Sequence, residues 1–244
     1  MILIAILSAN NEPFQSCTNH LIKGYGSCPG VEVLSYVGGA DAPYLEGHTL
    51  HLPCPDSDTI RKQELMLEWV RANRPGTYWI VKQNASTVVN LRLLTDAIYT
   101  GALSQECIYC AFPMYMNIDN IRYNFPMGNF TVLHYDLIDP ILRNYRQNCP
   151  RVTTDDVYLG KVLEAACIRI ESLSAYSMES HIHTMFSSFP GYKPIEHIKD
   201  TFSAYLKISD PTTRPDGAWG MPADPLIRTQ YEPQLIDLLF QLYK

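Results

Sequence analysis

The chain opens on seven apolar residues, Met1–Leu7, and turns polar at Ser8-Ala9-Asn10-Asn11. A run this short does not span a bilayer, and it has neither a basic leader nor a cleavage signal. An unbroken apolar run fits a strand covered on both faces, as at the centre of a parallel sheet. Val31–Val37 is a second strand, broken by Gly38-Gly39-Ala40-Asp41. Residues 41–59 read as a proline- and histidine-containing loop. Ile60–Asn73 is charged but carries Leu65, Trp69 and Ala72 at helical spacing, which predicts a helix with one face on a sheet. Arg74-Pro75-Gly76 stops it. Tyr78–Val81 is the next strand, and Val89–Ala97 starts another helix. Strand, helix, strand, helix in this order predicts an α/β fold with a mostly parallel sheet.

The middle changes character. Residues 106–135 are rich in aromatics and short alternating runs, which predicts an antiparallel or irregular portion with a groove-lining loop. Its tyrosines and methionines read either as core or as a sugar-stacking surface. Asp136–Tyr145 is a short helix, and Asp155 begins a further one running to about Ile170. Two acids at its start suit the helix dipole. The last fifty residues hold loops around Pro190, Pro194, Pro211, Pro215, Pro222 and Pro225, then a helix, Glu232–Leu242.

Several function classes drop out. The formal net charge is -6 and the chain has no basic stripe, which argues against a nucleic-acid partner. Seven irregularly spaced cysteines do not describe a disulfide scaffold and fit reduced thiols in the cytoplasm. Cys107-Ile-Tyr-Cys110 is a lone CxxC without the second pair a zinc site needs. The sequons at Asn84 and Asn129 lack a secretory signal. Neither a GxGxxG nor a GxxxxGK phosphate cradle is present, nor a GxSxG elbow.

Asp155-Asp156 is the strongest chemical candidate, since a carboxylate in a groove can take the proton of an attacking hydroxyl. A helix cap followed by a first-turn acid explains the pair equally well. Lys62 and Lys82 are candidate cations for charge on a leaving phosphate, or ordinary solvated lysines. His181 and His183 fall on one side of an extended segment, as metal ligands or plain polar residues. His134 is a candidate substrate contact. Lys82–Asn90 follows a strand, where open sheets bind ligands, yet its centre is Asn84-Ala85-Ser86 rather than a carboxylate cluster.

Three blocks, in order, carry a resemblance. Trp69-Val70, Arg74-Pro75 and Tyr78–Lys82 are followed by Asn84–Asn90; then comes Pro126–His134 with Asp136-Leu137; last is Asp155-Asp156-Val157-Tyr158-Leu159-Gly160. Together they resemble the beta-1,3-glycosyltransferase superfamily, which includes galactosyl- and N-acetylglucosaminyltransferases and the Fringe proteins, over roughly residues 54–172. The resemblance implies a GT-A-type fold with a mixed, mostly parallel central sheet flanked by helices. It implies one domain over residues 1–244, with a nucleotide-sugar half (1–105) and an acceptor half (106–244). It further implies an inverting transfer from a UDP-sugar to a hydroxyl of a glycan acceptor. Asp156 aligns with the family's second acid, and which of Asp155 and Asp156 is the base stays open. Donor contacts would come from Ser8, Asn10, Lys62, Lys82, Asn84 and Ser86, and acceptor contacts from Gly128, Asn129 and His134.

The family's aspartate triplet is replaced here by Asn84, Ala85 and Ser86, which offer a hard cation neutral oxygens only. The expectation is an enzyme without manganese or magnesium, and with no other cofactor. Two alternatives remain: a catalytically inactive scaffold that binds glycan or protein, and a metal-dependent transferase with ligands relocated to His181 or His183 with Asp155. The family's early arginine-rich stretch, stem and anchor have no counterpart, so the expectation is a soluble cytoplasmic protein without a transmembrane segment. The sequence leaves the oligomeric state, donor sugar and acceptor open.

Overall fold

The computed structural model describes residues 1–26, 28–100, 109–118, 120–145, 154–172, 180–185, 203–209 and 225–243. The first half of the chain begins with β1 (Ile2–Leu7), as expected, then α1 (Phe14–Tyr25) and β2 (Val31–Val37). Residues 41–59 are not all loop, because β3 (Tyr44–Glu46) and β4 (Thr49–His51) form a hairpin there. Gly47, at φ 58°, makes its turn, and the strands are too short for alternation to reveal them. Next come α2 (Thr59–Asn73), β5 (Trp79–Asn84), β6 (Thr87–Val89) and α3 (Leu91–Tyr99). Asp58 and Asn90 cap the two helices by accepting from Arg61 N (2.9 Å) and Leu93 N (3.3 Å).

The second half adds β7 (Tyr109–Ile118), β8 (Ile121–His134), α4 (Ile138–Tyr145), α5 (Asp155–Ala165) and β9 (Ile170–Ser172). After these follow β10 (Ser180–Met185), β11 (Ser203–Ser209) and α6 (Pro225–Tyr243). The antiparallel portion expected within residues 106–135 is the β7–β8 pair, and residues 125–134 lie within β8. Helix α5 stops short of Ile170 because Cys167 takes φ 56°, and the Ile168 amide turns back onto Leu163 O. Helix α6 starts well before the expected Glu232, and Pro233 lies inside it.

Eight strands form one sheet in the order β3-β4-β2-β1-β5-β8-β7-β9. The β2–β1, β1–β5, β2–β4 and β7–β9 pairs are parallel, while β8 runs antiparallel between β5 and β7. A second sheet orders β10-β11-β6. Strand β1 is covered on both faces, which is what its unbroken apolar run encodes. Ile2, Ile4 and Ile6 pack with α1, α3 and α6; Leu3 and Ala5 pack with α2, α4 and α5. Each such buried side chain contributes about 1.5–3 kcal/mol. No helix among the described residues is long and apolar enough to cross a membrane.

The strand order reverses at β1, with β2 on one side and β5 on the other, all three parallel. The carboxyl ends of these strands therefore open a crevice, where doubly wound sheets hold ligands.

Candidate active site

Two buried lysines organise that edge, and neither is a solvated lysine. Lys62, on α2, is 1% exposed and donates to Ser8 O (2.8 Å) and Asp56 Oδ1 (3.1 Å). Asp56 also accepts from the Asn10 amide (2.7 Å) and the Gly38 amide (2.8 Å). Burial pushes the Asp56 carboxyl up, but these two amides and Lys62 outweigh it and hold the group below its ordinary value. Lys62 is thus a tie between the β1 and β2 exits rather than a free phosphate cation. Asn10 shares in the tie, donating its side-chain amide to Gly38 O (2.8 Å). Beside this brace lies a polar cavity of about 310 Å³, lined among others by Ser8, Asn10, Gln15, Asn19, Ser35 and His51.

Lys82, on β5, is 2% exposed and donates to Gly128 O (2.6 Å), with Asp155 Oδ2 at 3.9 Å. Gly128 sits in a bulge of β8. Thr131 pairs with Ala111 but Pro126 pairs with Pro113, so the chain between them buckles out of the ladder. The bulge offers the Gly128 amide to Asp156 Oδ2 at 3.0 Å. A Cβ on Gly128 would stand 1.7 Å from Asp156 Oδ1, so any larger residue displaces the carboxyl from this position. Desolvation raises the Asp156 carboxyl above its ordinary value; Lys82 and the Gly128 amide work against the rise, and Asp155 adds to it. Asp155 and Asp156 occupy the first turn of α5, so the dipole favours both charges. Lys82, Gly128, Asp155 and Asp156, separated in sequence, are brought together. Asn129 is buried in the same bulge.

His134 does not join them. It closes β8 opposite Trp79, the first residue of β5, at the amino edge of the sheet. There it lies edge-on to the Trp79 indole and caps the following turn by accepting from Asp136 N (3.4 Å). The β8 strand carries it away from the carboxylates.

Asn84 ends β5 at the carboxyl edge, and Ala85-Ser86 turn from it into β6. Ala85 is buried and has no side-chain donor atom. The Ser86 hydroxyl donates to Glu232 Oε2 (3.3 Å) and accepts from Arg228 Nη2 (3.2 Å). Glu232, on α6, is 0% exposed and is held by Arg228 through two hydrogen bonds of 2.6 and 3.1 Å. Helix α6 thus latches onto the turn that would carry metal ligands. Of the triplet's side chains, the Ser86 hydroxyl is already engaged, and Asn84 Oδ1 is a buried oxygen that makes no hydrogen bond among the described residues; neither is a carboxylate. The described residues assemble no other group of three His, Cys, Asp or Glu. Strand β10 holds the backbone of His181 and His183 extended; their side chains lie outside the described residues, as does Cys107.

Sequence reasoning missed Asp56, Arg228 and Glu232. The readable signal for the last two was their i,i+4 spacing on one helix, which a helix starting at Glu232 hides.

No family model and no curated protein matches the sequence. Solved structures do. A glycosyltransferase involved in the glycosylation of the major capsid of PBCV-1 superposes with a TM-score of 0.52 at 13% identity, covering 97% of this chain and 99% of that one. This chain has a GT-A-type fold. A 4-diphosphocytidyl-2C-methyl-D-erythritol synthase of Anaerococcus prevotii also matches, at TM-score 0.45 and 11% identity over 71% and 86% of the two chains. So does the 2-C-methyl-D-erythritol 4-phosphate cytidylyltransferase of Francisella tularensis, at 0.42 and 10% over 70% and 90%. The GT-A-type likeness extends over the whole chain, but nothing in it singles out the beta-1,3-glycosyltransferases.

Proposed function

We propose that the protein is an inverting glycosyltransferase that moves a sugar from a UDP-sugar to a hydroxyl of a glycan acceptor, with Asp156 as general base and no metal ion. The observation that carries this reading is the Lys82–Gly128–Asp156–Asp155 cluster at the carboxyl edge of a GT-A-type sheet. Asp156 has the features a base needs. Its Oδ2 is fixed by the Gly128 amide, and its partly desolvated carboxyl has a raised proton affinity, which helps it take a proton near neutral pH. In the step, the acceptor oxygen forms a bond to the anomeric carbon as its proton passes to Asp156. The bond from that carbon to the diphosphate breaks with its electron pair, and UDP leaves.

Lys82 is the counter-charge of the acid pair, not a mobile phosphate clamp: its ammonium already faces Gly128 O and Asp155. The polar cavity at the ends of β1 and β2 supports a nucleotide seat, its walls held by the Asp56–Lys62 brace. The beta-1,3-type reading rests on the three sequence blocks, and two of them, around Gly128 and Asp156, meet in the site.

The α6 latch on Ser86 favours a second reading, a binding scaffold without turnover, because it closes the place where metal ligands would stand. One assay separates the two. Donor hydrolysis and transfer are measured over UDP-, GDP-, CMP- and dTDP-sugars, in excess EDTA and then with manganese. Turnover of a UDP-sugar in EDTA, abolished in Asp156→Asn while UDP affinity stays within a few-fold, is the expected result. Turnover only with manganese removes metal independence; no turnover of any donor leaves the scaffold.

A further inference from the structure

Beyond the carboxyl edge, the β7–β8 hairpin rises over α5 and encloses a second cavity of about 500 Å³. Helix α5 connects it to the base. Asp156, Gly160, Leu163 and Glu164 share one face at i, i+4, i+7 and i+8. The last three line the cavity. Gly160 lies one helical turn, about 6 Å, beyond Asp156. A Cβ there would stand 2.4 Å from Asn124 O and 2.7 Å from Phe125 Cβ. Glycine therefore lets the hairpin close down on the helix and sets the cavity floor.

The opposite wall is a prepared surface. Tyr115 is 60% exposed, and Arg122 lies over its ring at 4.2 Å. The guanidinium is held in place by donating to Asn124 Oδ1 at 3.2 Å. Pro113 and Met114 continue the apolar part of the lining, and Glu164, whose Oε2 accepts from Lys161 Nζ at 2.6 Å, brings a paired carboxylate to the rim. A flat ring beside a fixed guanidinium, an amide and a carboxylate is the chemistry that holds a sugar: the ring meets its C–H face, and the polar groups meet its hydroxyls.

Resting on the transferase reading above, we infer that this cavity is an acceptor subsite for a second sugar. The acceptor is a glycan of at least two sugars: the terminal hydroxyl lies at Asp156, and the penultimate ring lies against Tyr115 and Arg122. Chain length is then a specificity determinant, read one helical turn from the chemistry.

The test uses the full chain, a glycan array of matched mono- to tetrasaccharides, and UDP-sugar hydrolysis as an independent readout. Wild type is expected to retain disaccharides and longer chains at least tenfold better than the matching monosaccharides. Tyr115→Ala and Arg122→Ala are each expected to erase most of that difference while donor hydrolysis stays within twofold. Tyr115→Phe, which keeps the ring, is expected to keep the preference. Equal retention of mono- and disaccharides, or variants that leave the preference intact, overturns the inference while hydrolysis keeps the transferase reading. So does an array that stays silent while wild type hydrolyses donor. A silent array together with silent hydrolysis overturns both. A dimer in solution that Tyr115→Ala dissociates, with no glycan retained, reassigns the surface to a second copy of the chain and overturns the inference.

Discussion

Replacing Ser86 with aspartate looks like the repair of a metal site, and the α6 latch makes it the opposite. Ser86 is 5% exposed, and its hydroxyl lies 3.3 Å from Glu232 Oε2. A second carboxylate there meets a first at about 4 Å, a repulsion of about 4 kcal/mol at an effective dielectric of 20. Arg228 attracts both acids and offsets much of this, but the new charge must still be desolvated. Protonation limits the remainder: a carboxyl raised by about two pH units costs about 3 kcal/mol at neutral pH. For a chain of this size that lowers Tm by about 6–12 °C. The assay is thermal unfolding of wild type, Ser86→Asp and Ser86→Asn at pH 7 and pH 5, with and without manganese. A raised folded-state pKa stabilises below the unfolded value and loses that contribution as pH rises, so the Ser86→Asp deficit should shrink at pH 5. Ser86→Asn, which carries no charge, should lose less. A Tm equal to wild type, or a manganese shift seen only in Ser86→Asp, refutes the reasoning and restores a metal site.

Gly128→Ala should lower kcat by about 100-fold with UDP affinity nearly kept, because its methyl displaces the Asp156 carboxyl and base placement is sensitive at the ångström level; steady-state kinetics with UDP titration checks it. The rate of the Asp156-dependent step should rise with pH to a half-maximum above the ordinary carboxylate range, since the raised group must lose its proton to act; a pH–rate profile that turns at or below that range contradicts the assignment. Lys62→Met should cost about 2 kcal/mol by leaving Asp56 without its cation, measured by urea unfolding. Asp56, with its lowered pKa, contributes stability that is present above its unfolded value and lost as pH falls through its folded value. Wild type should therefore show an acid-side loss that Asp56→Asn lacks.

The elements the sequence announced are those whose signal is local. Strand β1 ends where its apolar run ends, β2 ends at the Gly38-Gly39 break, and α2 ends at Asn73, just before Arg74-Pro75-Gly76. What it hid depends on contacts far along the chain. Lysines at 62 and 82 look like surface residues until a buried partner is found for each. The aromatic 106–135 stretch reads as antiparallel or irregular, but its place between β5 and β7 depends on strands distant in sequence. The acid pair was legible by type and position, but not the reason one carboxyl differs from its neighbour. That reason is a backbone amide supplied by a bulge, and no side-chain pattern encodes it.

Gly128 has one further consequence. Lys82 grips its carbonyl and Asp156 its amide, so strand β5 and helix α5 are both fastened to a single residue of β8. Changes at these three positions will not combine independently: a variant lineage that loses the lysine or the glycine has little left to hold the acid in place. Positions 82, 128 and 156 therefore act as one mechanical unit, and a change at any of them bears on the placement of the other two.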